Sequence, residues 1–542
     1  MTDPVGELSG AVTEVATELR GDGTVEVPRL ARPPRPDFGD YSTNAAMLLA
    51  PTMGQPPRAI AERLGEALGQ RLGGAVERVE VAGPGFLNLF MADLWYLEAL
   101  AGLVAAGEGY GAGDPSGLEP ILVEFVSANP TGPTTVAAGR HAAYGDSLCR
   151  ILELAGQSVV REYYVNDHGR QVRLFGESIR ARARGEEPPE EGYMGSYVTA
   201  FAERIQGAAE ADPDELARRG VELVLEGVRK TLERFRVRMD HFSSERALHE
   251  RGRVEQAIEA LEGRGHVYRH EGAVWLRTTA FGDDKDRVLV RASGEPTYLA
   301  ADIAYHRDKL ERGFEHVVDV LGADHHGYVP RMRAAWQALG GDPDRAEFLI
   351  IQLVGLSEGG RRVQMSKRGG EFVTLDDLIE DIGVDAARYF LLQRSHETTL
   401  DLDLELARRE SQDNPVYYVQ YAHARIASIL RKAGADRVAA AVAADVPGSP
   451  ERLHPSARAL VKRLLEFPVE VQEAAARRAP HRLTAYVHEA AQEFSAFYRD
   501  CRVLGAAEEG GDEDVRLALC IVTKRVVARA LGLLGVAAPE EM

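Results

Sequence analysis

Residues 121–165 constrain this chain more than any other stretch. The apolar run Ile121-Leu122-Val123-Glu124-Phe125-Val126 reads as a buried strand, ended by the turn Asn129-Pro130-Thr131-Gly132-Pro133. A helical pattern follows from Val136 to Leu154, then a second strand pattern from Val159 to Val165. Strand, helix, strand at this spacing is a βαβ unit, so the chain builds a parallel sheet. The first strand delivers polar groups at its C-terminal end, and the helix after it can turn its N-terminus toward phosphates. The same pattern also fits an ordinary strand-to-helix turn, which leaves the ligand open. No Gly-x-Gly-x-x-Gly follows the strand, which argues against dinucleotide-dependent dehydrogenase chemistry.

The 542 residues leave room for three or four domains. Ahead of the βαβ unit lie a helical stretch, the Pro-rich Arg32-Pro33-Pro34-Arg35-Pro36, the block Gly39 to Met47, and the strand-like Val79-Glu80-Val81 before a Gly/Pro turn. Gly111 to Gly117, rich in Gly, Pro and Asp, reads as a linker. Residues from about 172 to 265 are charged and helical, an insertion by pattern. Strand patterns return at Ala273–Leu276, Val288–Val290, His316–Leu321 and Phe348–Leu353, and helical periodicity dominates from Asn414 onward. The expected architecture is α/β. It has an N-terminal α+β domain at 1–113, a Rossmann-type parallel-sheet domain at 114–385 carrying the helical insertion, and an all-α helical bundle at 386–542.

Composition narrows the function classes. Hydrophobic residues make up 45% and charged residues 27%, a soluble globular profile, and no apolar run nears the roughly 18 residues of a membrane span. Cys149, Cys501 and Cys520 lie far apart, without zinc or disulfide spacing, and the N-terminus lacks a signal-peptide pattern. A reduced cytoplasm is the expectation. With 84 acidic against 64 basic residues the net charge is −20, so nucleic acid can be held only where basic residues gather locally. Such gatherings occur at Arg458, Lys462 and Arg463, at Arg477, Arg478 and Arg482, and at Lys524, Arg525 and Arg529; solvated helix faces are the competing explanation.

Two further motifs carry chemistry. Tyr298 and Asp302 in Thr297-Tyr298-Leu299-Ala300-Ala301-Asp302 are four apart and share a helix face. A carboxylate beside an aromatic ring suits a guanidinium, although a surface ion pair would look the same. The polar, Gly-flanked stretch Val363-Gln364-Met365-Ser366-Lys367-Arg368-Gly369-Gly370 follows a strand and presents a lysine. His325 and His326 in Gly322-Ala323-Asp324-His325-His326-Gly327 have no evident third ligand, so no metal site is expected.

These stretches together resemble the arginyl-tRNA synthetases, class I enzymes. Val123 to Pro133, running on to Gly145-Asp146, resembles their first signature, and Val363 to Gly370 resembles their KMSKS loop. Tyr163 to Gln171 is similar to the strand end beside the family's pocket, Gly39 to Met47 to its extra tRNA-binding domain, and Asn414 to Arg425 to the start of its anticodon-binding bundle. The resemblance implies activation of L-arginine by ATP with Mg²⁺ as a substrate complex, then transfer to tRNA(Arg). It implies no resident metal or prosthetic group, no membrane, and a monomer. Glu124, Asn129, Tyr298, Asp302 and His325 would bind arginine. Ala137, Ala138, Gly139, Gly322, Asp324, Met365, Ser366 and Lys367 would meet ATP, with Lys367 neutralising the leaving pyrophosphate. Asn44, Tyr418, Tyr421 and Met542 would meet tRNA.

The resemblance breaks at Thr135-Val136-Ala137-Ala138, where the family carries His-x-Gly-His, and Gln364 replaces the first KMSKS lysine. Thr135 can still donate a hydrogen bond, Ala138 cannot, and Arg140 or His141 on the same helix would have to reach the triphosphate instead. A divergent paralogue that binds tRNA or an arginine-like ligand without charging is the alternative. A small-molecule nucleotidyltransferase of the same fold is a weaker one.

Overall fold

The computed structural model describes residues 3–21, 23, 25, 27, 29–33, 35–115, 119–363 and 373–542. Near the N-terminus, helices Pro4–Arg20, Ala45–Met53 and Pro57–Leu72 pack beside a small antiparallel sheet. Its strand Phe86–Met91 lies between Tyr41–Thr43 and Val76–Ala82, an α+β unit as expected. Helix Asp93–Ala106 is apolar on nearly every side because it packs against helices Pro455–Leu465 and Glu513–Leu533.

The centre is a five-stranded sheet. In chain order its strands are β1 (Ile121–Glu124), β2 (Val159–Val165), β3 (His241–Ser244), β4 (His316–Gly322) and β5 (Ala346–Ile351). In space they run β5-β4-β1-β2-β3, with every pairing parallel. The crossover after β1 is α1 (Val136–Leu154), and α2 (Tyr298–Glu311) precedes β4. Helix α1 can lie close on β1 because residue 145 is glycine: a Cβ there would come within 2.1 Å of the Phe125 ring.

Three expectations need correction. Strand β3 falls inside the stretch expected to be a helical insertion; His-Phe-Ser-Ser is a half-exposed edge strand with no apolar alternation to betray it. Ala273–Leu276 and Arg287–Val290 are strands, but they form a separate antiparallel sheet with Val267–His270. The boundary at 385/386 falls just past Gly383, where φ 78° breaks the helical stretch Leu375–Leu392, yet strand Leu400–Asp403 beyond it pairs parallel with Val354–Glu358.

The C-terminal helices Pro415–Ala433, Pro455–Leu465, His481–Asp500 and Glu513–Leu533 form a bundle. Most residues of its basic clusters are engaged by carboxylates or carbonyls of the protein itself. Lys462 pairs with Asp40 and Arg458 with Asp93, both at 2.7 Å, so they fasten the bundle to the N-terminal unit. Arg463 pairs with Glu466, Arg478 with Glu347 of β5, Arg482 with Glu470, and Lys524 with Glu540. Arg529 donates to the Tyr110 carbonyl. A chain with twenty surplus negative charges has a carboxylate near most cations. No helix among the described residues is long and apolar enough to cross a membrane.

Candidate active site

A cleft of 740 Å³ opens at the C-terminal ends of β1, β2 and β4, where a parallel sheet collects polar loops. Its floor is acidic. The register sets Asp319 of β4, Glu124 of β1 and Glu162 of β2 side by side on three adjacent strands. Glu124 is already engaged: Lys309 Nζ donates to its Oε2 at 2.7 Å and Ser127 Oγ to its Oε1 at 2.9 Å. Burial pushes the Glu124 carboxyl up, against the pull of Lys309.

Two other carboxylates on the wall are less committed. Asp302 on α2 accepts from the Tyr328 hydroxyl and has no cationic partner among the described residues. Burial raises its carboxyl to about 6, while the Tyr328 hydrogen bond works the other way. Glu245, which opens the helix Glu245–Glu250, is buried and among the described residues has only His249 within ion-pair range, at 3.8 Å. Tyr298 stands over this wall with 68% of its surface exposed. Buried carboxylates without a lysine or arginine partner make a site that a guanidinium completes.

The backbone leading into the cleft is strained. Val126 has φ 71° and Ser127 φ 38°, left-handed values that cost a β-branched residue of order 1–3 kcal/mol. The turn is held by Tyr164, whose N–H donates to Ser127 Oγ at 3.1 Å, and by the Tyr163 hydroxyl, which donates to the Ala128 carbonyl at 3.0 Å. It delivers Asn129, which Asn166 and Gln171 orient through side-chain hydrogen bonds of 3.2 and 3.0 Å.

Of the residues singled out from sequence, Glu124, Asn129, His141, Tyr298, Asp302, Gly322, Asp324 and His325 line this one cleft. Thr135, Ala137, Ala138 and Gly139 do not. They form the first turn of α1, where Thr135 Oγ caps the Ala138 N–H at 3.3 Å and the backbone of Thr135 forms an antiparallel β-bridge with Thr374. A Cβ on Gly139 would meet Leu375 at 2.7 Å, so this turn packs against the segment that follows residue 372. Met365, Ser366 and Lys367 lie outside the described residues.

Arg140 requires a correction. Only 2% exposed, it points away from the cleft and donates to the carbonyls of Gln352, Leu353, Ser395 and Thr398. Four carbonyls converging on Nη1 and Nη2 fix the chain around β5 and spend the fork of the guanidinium away from the cleft. His141 does face the cleft. Its Nδ1 is buried without a hydrogen-bond partner, and burial, then the charge of Arg140, lowers the imidazole to about 4.

Tyr418 and Tyr421 part company. Tyr418 turns inward, its hydroxyl donating to Ser495 Oγ at 3.0 Å, whereas Tyr421 stacks on Tyr417 with an interplanar angle of 8° and Arg425 over its ring. Met542 is exposed, and Asn44 sits half-buried ahead of helix Ala45–Met53. Glu245, Tyr328, Lys309, Asp319 and His306 escaped the sequence reading. A signal existed: Glu124, Glu162 and Asp319 each interrupt an apolar strand, and residues 302, 305, 306 and 309 share one helical face. Among the described residues no group of three His, Cys, Asp or Glu is arranged to hold a metal ion.

Comparison with known proteins gives the class first. Residues 190–409 match the family model "tRNA synthetases class I (R), catalytic domain", and residues 419–542 match "DALR anticodon binding domain". The parallel sheet with its cleft is therefore a class I aminoacyl-tRNA synthetase core. Residues 6–91 match "Arginyl tRNA synthetase N terminal domain". The whole chain is 47% identical over 554 residues to the arginine–tRNA ligase of Frankia alni, covering 99% of each. It is 43% identical over 557 residues to that of Carboxydothermus hydrogenoformans, covering 99% of the chain and 98% of the relative. The arginyl-tRNA synthetase of Thermus thermophilus superposes with a TM-score of 0.77 at 26% identity, over 99% of this chain and 100% of that one. The chain belongs to the arginyl-tRNA synthetase family.

Proposed function

We propose that this chain ligates L-arginine to tRNA(Arg) in two steps, activation by ATP and transfer to the tRNA 3′ end. The observation that carries the amino-acid choice is the cleft wall on which Asp302 and Glu245 lack a strong cationic partner beside the exposed ring of Tyr298. In this reading the guanidinium lies between those carboxylates under Tyr298, and Asn129 with Glu124 faces the amino-acid backbone. The arginine carboxylate attacks the α-phosphate in line and pyrophosphate leaves with its Mg²⁺. The protein contributes position and charge, with no covalent enzyme intermediate.

Gly322 and Asp324 form the nucleotide side of the cleft, His325 faces arginine, and Lys367 neutralises the leaving pyrophosphate. His141 takes over as the neutral donor toward the phosphates, which supports catalysis despite the altered Thr135-to-Ala138 turn. Thr135 preserves the helix start that aims the α1 N-terminus. The N-terminal unit with Asn44 and the bundle with Tyr421 and Met542 hold the two ends of tRNA. Tyr417 takes the stacking place first given to Tyr418. The enzyme works as a cytoplasmic monomer.

The test is ATP–pyrophosphate exchange over the standard amino acids, with and without tRNA(Arg). Exchange with arginine and tRNA, reduced roughly a hundredfold or more by Lys367→Ala, is the expected outcome. Exchange with lysine or citrulline at comparable kcat/KM would reject the reading.

A further inference from the structure

The acidic row under the cleft is matched by a basic row. Asp319, Glu124 and Glu162 occupy facing positions on β4, β1 and β2, strands that lie about 4.8 Å apart. Helix α2 and its C-cap place His306, Lys309 and Arg312 opposite them, each three residues and about one turn from the next. The rungs close one by one. His306 Nε2 meets Asp319 Oδ2 at 2.8 Å, and Arg312 donates to both Glu162 oxygens at 2.6 and 2.8 Å. Lys309 Nζ bonds Asp319 and Glu124, each at 2.7 Å. Lys309 is the middle rung, 0% exposed, and it bridges two acids of the row. Glu124 and Asp319 line the cleft; Lys309 lies beneath it.

We propose that Lys309 is a positioning and specificity residue for arginine. From below, it neutralises the acid row and holds Glu124 in place, so that the negative charge offered to the guanidinium comes from Asp302 and Glu245. The proposal rests on the reading of this cleft as the arginine pocket. A wall with every carboxylate uncompensated could not stay ionised, because like charges in a buried site drive one another to take up protons. Around Glu124 the groups that decide this are Asp319 from β4, Glu162 and Tyr164 from β2, and Asp302, Tyr305, His306 and Lys309 from α2. Burial works against Asp319 as well, yet Lys309 and His306 hold it at about 2. Without the ammonium, Glu124 loses the pull that opposes its burial and becomes protonated as the pH falls. Arginine binding then weakens on the acid side.

The experiment is Lys309→Met, near in volume and uncharged, assayed by tRNA-dependent pyrophosphate exchange from pH 6 to 8.5. The expected result at pH 7.5 is an arginine KM at least tenfold higher with an ATP KM within about twofold of wild type. The arginine KM should also climb more steeply toward low pH than in the wild type. A folded variant with unchanged arginine KM, or with both KM values rising together and no change in pH slope, would leave Lys309 a purely structural residue and overturn the proposal. Lys309→Met/Asp319→Asn removes one charge of each sign and gives the same reading if the single variant does not fold. Calorimetry of the wild type at pH 6, in two buffers of different ionisation heat, decides independently of any variant. No more than about one proton released per arginine bound is expected, from Asp302; about two would mean Glu124 is not held ionised. A wild-type enzyme inert toward arginine would overturn the pocket assignment, and this proposal with it.

Discussion

Acidification should weaken arginine recognition through one identifiable group. The Asp302 carboxyl, raised to about 6 by burial, is roughly nine-tenths ionised at pH 7 and one-tenth ionised at pH 5. Only the carboxylate form accepts the guanidinium, so the arginine KM should rise about tenfold over that interval, equivalent to about 1.4 kcal/mol. Asp302→Asn keeps the size of the side chain and removes its charge. At pH 7 it should cost about 2–5 kcal/mol of arginine binding, as expected for one partner of a buried charged pair, or thirtyfold and upward in KM. It should also flatten the dependence on pH, because the titrating group is gone. The assay is the arginine KM in tRNA-dependent pyrophosphate exchange between pH 5 and 8, with the ATP KM measured alongside. A wild-type arginine KM that is flat across this range would refute the argument. So would an asparagine variant whose two KM values rise together.

Three further outcomes follow from the geometry. Arg140→Met should lower stability by about 3 kcal/mol or more, seen as a fall in Tm, because buried carbonyls lose a charged donor; a selective loss of ATP affinity without a stability change would contradict its placement. His141→Ala should reduce the exchange rate about a hundredfold while leaving the arginine KM near wild type, the pattern of a lost preorganised donor; unchanged exchange would remove His141 from the reaction. Lys462→Met should destabilise the protein by about 1–3 kcal/mol at pH 7 without altering the salt dependence of tRNA binding. Although burial works against it, Lys462 holds the Asp40 carboxyl below the ordinary range. That stabilisation is therefore complete above the unfolded carboxyl pKa of about 4, and the gap from wild type should close as the pH falls below it.

Some of this was fixed by local chemistry and so legible in the chain itself. The strand-turn-helix-strand of 121–165 follows from apolar periodicity and a Pro/Gly turn, and it specifies a parallel sheet whatever surrounds it. Tyr298 and Asp302 share a face because four residues make about one helical turn. Side-chain commitments needed the tertiary structure. Arg140 and His141 are neighbours on one helix, yet successive residues point about 100° apart. One clamps carbonyls behind the sheet and the other faces the cleft. The basic clusters of the bundle look like phosphate sites in one dimension, and only the packing of the bundle against the N-terminal unit and β5 shows the carboxylate partners of Lys462, Arg458 and Arg478, 131 to 422 residues away in sequence. Strand β3 was hidden because an edge strand of four half-exposed residues buries too little apolar surface to leave a pattern. The ladder of Asp319, Glu124 and Glu162 against His306, Lys309 and Arg312 is set by register between strands distant in sequence. Periodicity decides which face a residue occupies; only the completed fold decides which charge lies across from it.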